Sequence, residues 1–220
     1  MSTEHPAEST LSTFFSFQLG RILLSMFSRF WAFLPDLFGY SKQPSLDLGE
    51  NLSGKKTIVL DLDETLIHTC FSEPRHYDFS LKFKENEQNY QLYIQKRPNV
   101  DNFLKELNKY FEICIFTASL KEYADPIIDQ FEVFIPHTHR FYRNSCTIKS
   151  GMYIKDLSRF NRPLSSILLI DNSPISLQFQ PENGIICKTW TGSRNDKELL
   201  GSILPKLINI RDNDDIRQTK

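Results

Sequence analysis

Two carboxylates spaced i, i+2, Asp61 and Asp63, stand where the apolar run Ile58-Val59-Leu60 gives way to Leu62, Glu64 and Thr65. Carboxylates in this arrangement can hold a divalent cation and attack phosphorus. One serves as nucleophile while its neighbour acts as acid and base. The bland alternative is a solvated acidic turn, the common fate of isolated Asp and Glu after a strand. Two further runs weigh against it. Glu112-Ile113-Cys114-Ile115-Phe116 ends at Thr117, and Ser166-Ile167-Leu168-Leu169-Ile170 ends at Asp171-Asn172. Parallel strands of an open α/β sheet bring their carboxyl ends to one edge, so these polar groups, remote in sequence, are expected to meet there.

The elements needed to position them are legible in the pattern. Strands are expected near Thr57–Leu62, Glu112–Phe116, Ser166–Ile170 and Gly184–Lys188. Between them, Asn99 can cap a helix that turns Val100, Phe103, Leu104 and Leu107 toward the sheet, and Ser119 can start another through Tyr123, Ile127 and Ile128. This alternation predicts an α/β fold with a doubly wound, mostly parallel sheet. Residues 77–83 and 89–95 alternate polar and apolar around a Glu-Asn-Glu turn, which predicts a short β-hairpin insertion and no large cap domain. An insertion this small leaves the candidate site open to a bulky substrate.

At 220 residues the chain has room for one such domain and an appendage. Its 26 basic and 27 acidic side chains nearly cancel, giving a formal charge of −1 and no field that would draw in nucleic acid. Cys70, Cys114, Cys146 and Cys187 lack C-x-x-C spacing, which fits a reducing compartment. His137 and His139 have no zinc-type partners nearby and are expected to be solvent-exposed without a role.

Residues 1–40 form a separate region. After a polar start, Leu19, Ile22, Leu23, Met26, Phe27, Phe30, Phe33 and Leu34 recur every three or four residues, opposite Arg21 and Arg29, until Pro35. This predicts an amphipathic, membrane-associating helix. The stretch 11–34 is nearly long enough to span a bilayer. Each arginine, however, would cost about 2.5–3.5 kcal/mol near the bilayer centre, whereas an interfacial helix leaves both in water, with Trp31 at the boundary. Packing on the protein's own domain is the competing arrangement. Residues 41–54 are read as a linker, 55–207 as the catalytic domain and 208–220 as a charged tail.

Asp61-Leu62-Asp63-Glu64-Thr65, Thr117, Lys155 and Asp171-Asn172 together resemble the four motifs of the haloacid dehalogenase superfamily. The words Lys96-Arg97-Pro98, Phe116-Thr117-Ala118-Ser119, Tyr153-Ile154-Lys155-Asp156-Leu157-Ser158 and Leu169-Ile170-Asp171-Asn172-Ser173-Pro174 narrow the resemblance to the small C-terminal-domain phosphatase family, nearest the Dullard-type nuclear-envelope phosphatases. The resemblance implies a Mg2+-dependent protein serine/threonine phosphatase. Asp61 would be its nucleophile and Asp63 its acid and base. Thr117 and Lys155 would bind the phosphoryl group. The Asp61 carboxylate, the Asp63 backbone carbonyl and Asn172 would hold the metal. Asp171 is left to orient either Lys155 or a metal-bound water. Thr65 either positions the loop or caps it, and Glu64 and Ser119 are taken as structural. The same resemblance implies a phosphorylated protein substrate, such as a lipin-type phosphatidate phosphatase. It also implies a nuclear-envelope or endoplasmic-reticulum location and a small membrane regulatory subunit. A soluble nuclear phosphatase of the RNA polymerase II C-terminal domain is the rival, and a catalytically idle phosphoprotein-binding scaffold is a third reading.

Overall fold

The three apolar runs become adjacent parallel strands in the computed structural model, which describes residues 43–51, 53–85 and 88–218. They are β1 (Thr57–Leu60), β5 (Glu112–Phe116) and β9 (Ile167–Asp171). With β10 (Gly184–Ile186) and β6 (Arg140–Phe141) they form a five-stranded sheet of order β10-β9-β1-β5-β6, parallel throughout. Leu60 is level with Ile115 on one side and Ile170 on the other, so the three strands end together. The chain runs outward from β1 through β5 and β6, then returns to add β9 and β10 on the opposite side. Strand order thus reverses beside β1, where open α/β sheets place their ligand crevice.

The period-two alternation of each strand feeds two apolar clusters. Ile58, Leu60, Ile113, Ile115, Leu168 and Ile170 pack with α1 (Val100–Tyr110), α2 (Lys121–Ile128) and α3 (Leu204–Ile210). Val59, Cys114, Phe116, Ile167 and Leu169 pack instead with Leu46, Leu48, Phe141, Leu157, Phe160 and Leu177. The doubly wound order is as expected, but among the described residues the second face is covered by loops and 3-10 turns rather than α-helices.

The insertion is larger than the expected hairpin. β3 (Phe79–Glu85) and β4 (Gln88–Lys96) pair as predicted, and β2 (Ile67–Cys70) adds to the far side of β4, with Ile67 opposite Lys96. Helix starts differ in detail. Asn99 takes a left-handed φ of 64° and makes no side-chain cap, and α2 begins only at Lys121, with Leu120 at the cap position and the Ser119 hydroxyl donating to Asp63.

Two boundary segments are packed rather than loose. Within the stretch read as linker, Leu46 and Leu48 are buried, Leu46 N donates to Arg159 O at 2.7 Å, and Asn161 Oδ1 accepts from Leu48 N at 3.0 Å. Within the stretch read as tail, Ile216 is fully buried and its N–H donates to Ser165 O at 2.9 Å. Both exceptions have one cause: a few apolar side chains in a polar stretch suffice to dock it. The described residues outside 148–152 form one compact unit. At that turn Ser150 and Gly151 both adopt positive φ, as a tight hairpin between β7 (Thr147–Lys149) and β8 (Met152–Ile154) requires.

His139 is not a free surface histidine. Its Nε2 lies 3.2 Å from Glu112 Oε1, within a cluster where Arg162 and Thr57 also donate to that carboxylate. Burial alone would raise Glu112, but these donors outweigh it and hold the carboxyl down at about 2. The four cysteines form no disulfide. The amphipathic helix expected within 1–40 lies outside the described residues, and among those described no helix is long and apolar enough to cross a membrane.

Candidate active site

Asp61, Thr117 and Asp171 sit where strands of the central sheet run out, and Lys155 follows the separate β7–β8 hairpin. Asp61 follows β1, with its N–H still bonded to Ile170 O at 2.9 Å. Thr117 follows β5 and donates its N–H to Phe141 O at 2.9 Å, and Asp171 closes β9. Lys155 follows β8, its N–H bonded to Ser176 O at 3.0 Å, which ties it to the turn after Asp171-Asn172.

The Lys155 ammonium, 2% exposed, donates to Asp61 Oδ1 at 2.5 Å and to Asp171 Oδ2 at 2.7 Å. Burial by itself disfavours this charge, but the two carboxylates more than compensate and hold Lys155 above the usual lysine range. Asp171 spends its other oxygen on Ser173 N at 2.7 Å. Both of its oxygens are therefore engaged, and of its two expected tasks the geometry favours orienting Lys155.

The second oxygen of Asp61 accepts from Thr65 Oγ1 at 2.9 Å, and the same hydroxyl lies 3.4 Å from Asn172 Oδ1. Thr65 is therefore a partner of Asp61 rather than a cap. Burial pushes the Asp61 carboxyl up to about 7, with Asp171 and Asp63 adding to the rise and Lys155 opposing it. Two carboxylates share one ammonium here, with the Asp63 carboxylate close by, an excess of negative charge that a hard cation would offset. The available donors are all oxygens, which suits Mg2+. The Asn172 amide oxygen lies beside the same cluster, and among the described residues no group of three or more His, Cys, Asp or Glu forms a metal site by itself.

Asp63 turns away from Lys155 and collects hydroxyls. Tyr123 donates to Oδ1 at 2.5 Å, while Ser119 donates to Oδ2 at 2.7 Å and Thr117 more weakly at 3.4 Å. Thr69 in turn lies 2.5 Å from the Tyr123 oxygen. Burial, then the adjacent Asp63, keeps the tyrosine protonated well above its ordinary range, so it remains a donor. Ser119 and Tyr123 are site residues that sequence reasoning assigned to structure alone. The only sequence signal was their position two and six residues beyond Thr117.

Arg97 was singled out only as part of a family word. It is 1% exposed, grips Asp196 with two bonds of 2.8 and 3.0 Å, and donates to Thr65 O at 3.0 Å. It thereby braces the loop that carries both aspartates.

A parallel α/β sheet with a carboxylate–lysine centre at its switch point defines a protein of the haloacid dehalogenase type. The fold is similar to that of the fission yeast RNA polymerase II CTD phosphatase Fcp1 solved with beryllium fluoride. That match has a TM-score of 0.52 at 19% identity, over 62% of this chain and 42% of the other. Residues 56–217 match the NLI interacting factor-like phosphatase family, and the chain belongs to it.

Curated relatives include phosphatase PSR1 of Saccharomyces cerevisiae, 42% identical over 72% of this chain and 37% of its own. A probable C-terminal domain small phosphatase of Dictyostelium discoideum is 43% identical over 74% of this chain and 53% of its own. The human CTD small phosphatase-like protein is 40% identical over 74% of this chain and 59% of its own. The chain thus spans less than two thirds of the length of each of these relatives.

Proposed function

We propose that this chain is a Mg2+-dependent protein serine/threonine phosphatase that works through an aspartyl-phosphate on Asp61. The observation that carries this reading is the buried Lys155 ammonium bridging Asp61 and Asp171, with Thr65 fixing the other oxygen of Asp61. Such a clamp aims one carboxylate and leaves a fixed positive charge beside the reacting phosphorus. In the first step an Asp61 oxygen bonds to phosphorus while the serine or threonine oxygen leaves with a proton from Asp63. In the second, Asp63 takes a proton from the water that attacks the same phosphorus, and the Asp61 carboxylate is released. Thr117 and Lys155 hold the phosphoryl oxygens, and Ser119 and Tyr123 keep Asp63 facing the leaving oxygen.

The Asp61 carboxylate, the Asp63 carbonyl and Asn172 Oδ1 are the groups that would hold Mg2+, whose charge offsets that of the phosphoryl oxygens. A short three-stranded insertion in place of a cap domain suits a protein-borne phosphate. The test is inorganic phosphate release from a phosphoserine peptide by the full chain, in Mg2+ and in EDTA. Release that requires Mg2+ is expected. A pure, folded protein inert toward phosphopeptides and aryl phosphates alike would end this reading.

The amphipathic pattern of residues 19–34 and the likeness to Dullard-type enzymes support a place at the nuclear envelope or endoplasmic reticulum. The likeness alone supports a lipin-type substrate and a small membrane subunit as partner. A second reading is a soluble nuclear enzyme acting on the RNA polymerase II tail, the domain after which a human relative, carboxy-terminal domain RNA polymerase II polypeptide A small phosphatase 2, is named. Flotation of the full chain with liposomes separates the two, since only the first reading expects it to rise with the vesicles.

A further inference from the structure

Beyond β10 the segment from Cys187 to Asp196 touches both catalytic loops. Cys187 N donates to Asp171 O at 3.0 Å, and Trp190 N donates to Glu64 O at 2.8 Å. Thr189 lies between these two anchors, so its backbone is fixed on either side against the loops that carry Asp61 and Asn172. Its Oγ1 accepts a hydrogen bond from Asn172 Nδ2 at 3.2 Å. The opposite end of the same amide, Oδ1, faces Thr65 Oγ1 at 3.4 Å, beside Asp61.

A carboxamide has a donor end and an acceptor end of nearly the same shape, and only the oxygen can ligate a cation. Which end is presented depends on what the other end bonds. A hydroxyl acceptor on the outer side retains the NH2 there and leaves Oδ1 turned toward the carboxylates. We infer that Thr189 is a positioning residue for the metal ligand Asn172, holding its amide in the orientation that offers Oδ1 to a divalent cation at the Asp61 cluster. Thr189 is exposed, so packing does not demand a threonine, and its hydroxyl could bond to water instead. The bond to Asn172 is the specific task it performs. This inference rests on the Mg2+-dependent reading above, and outer partners of this kind typically tune metal affinity.

Thr189→Val preserves the shape and removes the acceptor, whereas Thr189→Ser retains it. Direct Mn2+ binding to the wild type and both variants, read by electron paramagnetic resonance with Mg2+ as competitor, is the primary measurement. The Mg2+ concentration for half-maximal phosphate release is the second. The valine variant should bind about tenfold more weakly, with kcat at saturating Mg2+ changed far less, while serine restores binding and the metal-free melting temperature is unaltered in both. Equal affinity in valine variant and wild type, or serine as weak as valine, overturns the inference while leaving the metal reading intact. A wild type that binds no divalent cation overturns both.

Discussion

Asp61→Asn is expected to lose turnover by at least about 10^4-fold in kcat while folding almost as the wild type does. The chemical loss follows from the amide, which has no anionic oxygen to bond to phosphorus and cannot form the acyl-phosphate. Folding is spared because the site can accommodate the new group. Lys155 has only donors, so the amide oxygen must face it, taking the 2.5 Å contact now made by Oδ1. The amide NH2 then meets Thr65 Oγ1, which donates in the wild type but can equally accept. Lys155 keeps Asp171 as counter-ion, and no buried polar atom is orphaned. Phosphate release in Mg2+, measured beside circular dichroism and the urea midpoint, checks both halves. Substantial turnover by the pure variant would remove Asp61 from the role of nucleophile.

The sheet and the residues of the four motifs were readable because they depend on local pattern. Each apolar run is buried on both faces and ends at a polar residue, so strand and site appear together in sequence. Observed strand ends differ from expectation by only one or two residues: β1 stops at Leu60 rather than Leu62, β10 at Ile186 rather than Lys188, and β9 runs from Ile167 to Asp171. What remained hidden depends on tertiary partners. β2 is four residues long and is a strand only because β4 pairs with it. Asn99 has the composition of a cap but a backbone turned left-handed, which leaves its side chain unused. Ser119, Tyr123 and Thr189 are ordinary hydroxyl residues until folding places them against Asp63 and Asn172. Arg97 finds Asp196 ninety-nine residues away, a pairing with no local sequence signal. Leu46, Leu48 and Ile216 are too few to show periodicity, yet each buries its side chain.

Lys155→Met should damage stability as well as activity, in contrast to Asp61→Asn. Methionine fills much of the same volume but leaves Asp61 and Asp171 buried, 6% and 1% exposed, with no cation between them. Removing one partner from a buried ion pair typically costs about 3–5 kcal/mol, because the survivor is left desolvated and uncompensated. Turnover should drop by at least about 10^2-fold with loss of the charge beside the phosphoryl group. The stability loss carries a distinctive pH dependence. Without Lys155 the Asp61 carboxyl, already raised by burial and otherwise held down by that ammonium, rises further in the folded state, whereas in the unfolded chain it titrates near about 4. The folded variant therefore binds more protons than the unfolded chain from about pH 4 up to that raised value, so its stability climbs as pH falls through the window. Its deficit relative to the wild type should be large at about pH 7.5 and smaller at about pH 5.5, measured as urea midpoints. The double variant Lys155→Met/Asp171→Asn removes one of the two opposed charges and should recover much of the stability but none of the turnover. A deficit independent of pH, or a double variant no more stable than the single one, would show that Lys155 contributes packing rather than charge at the centre of the site.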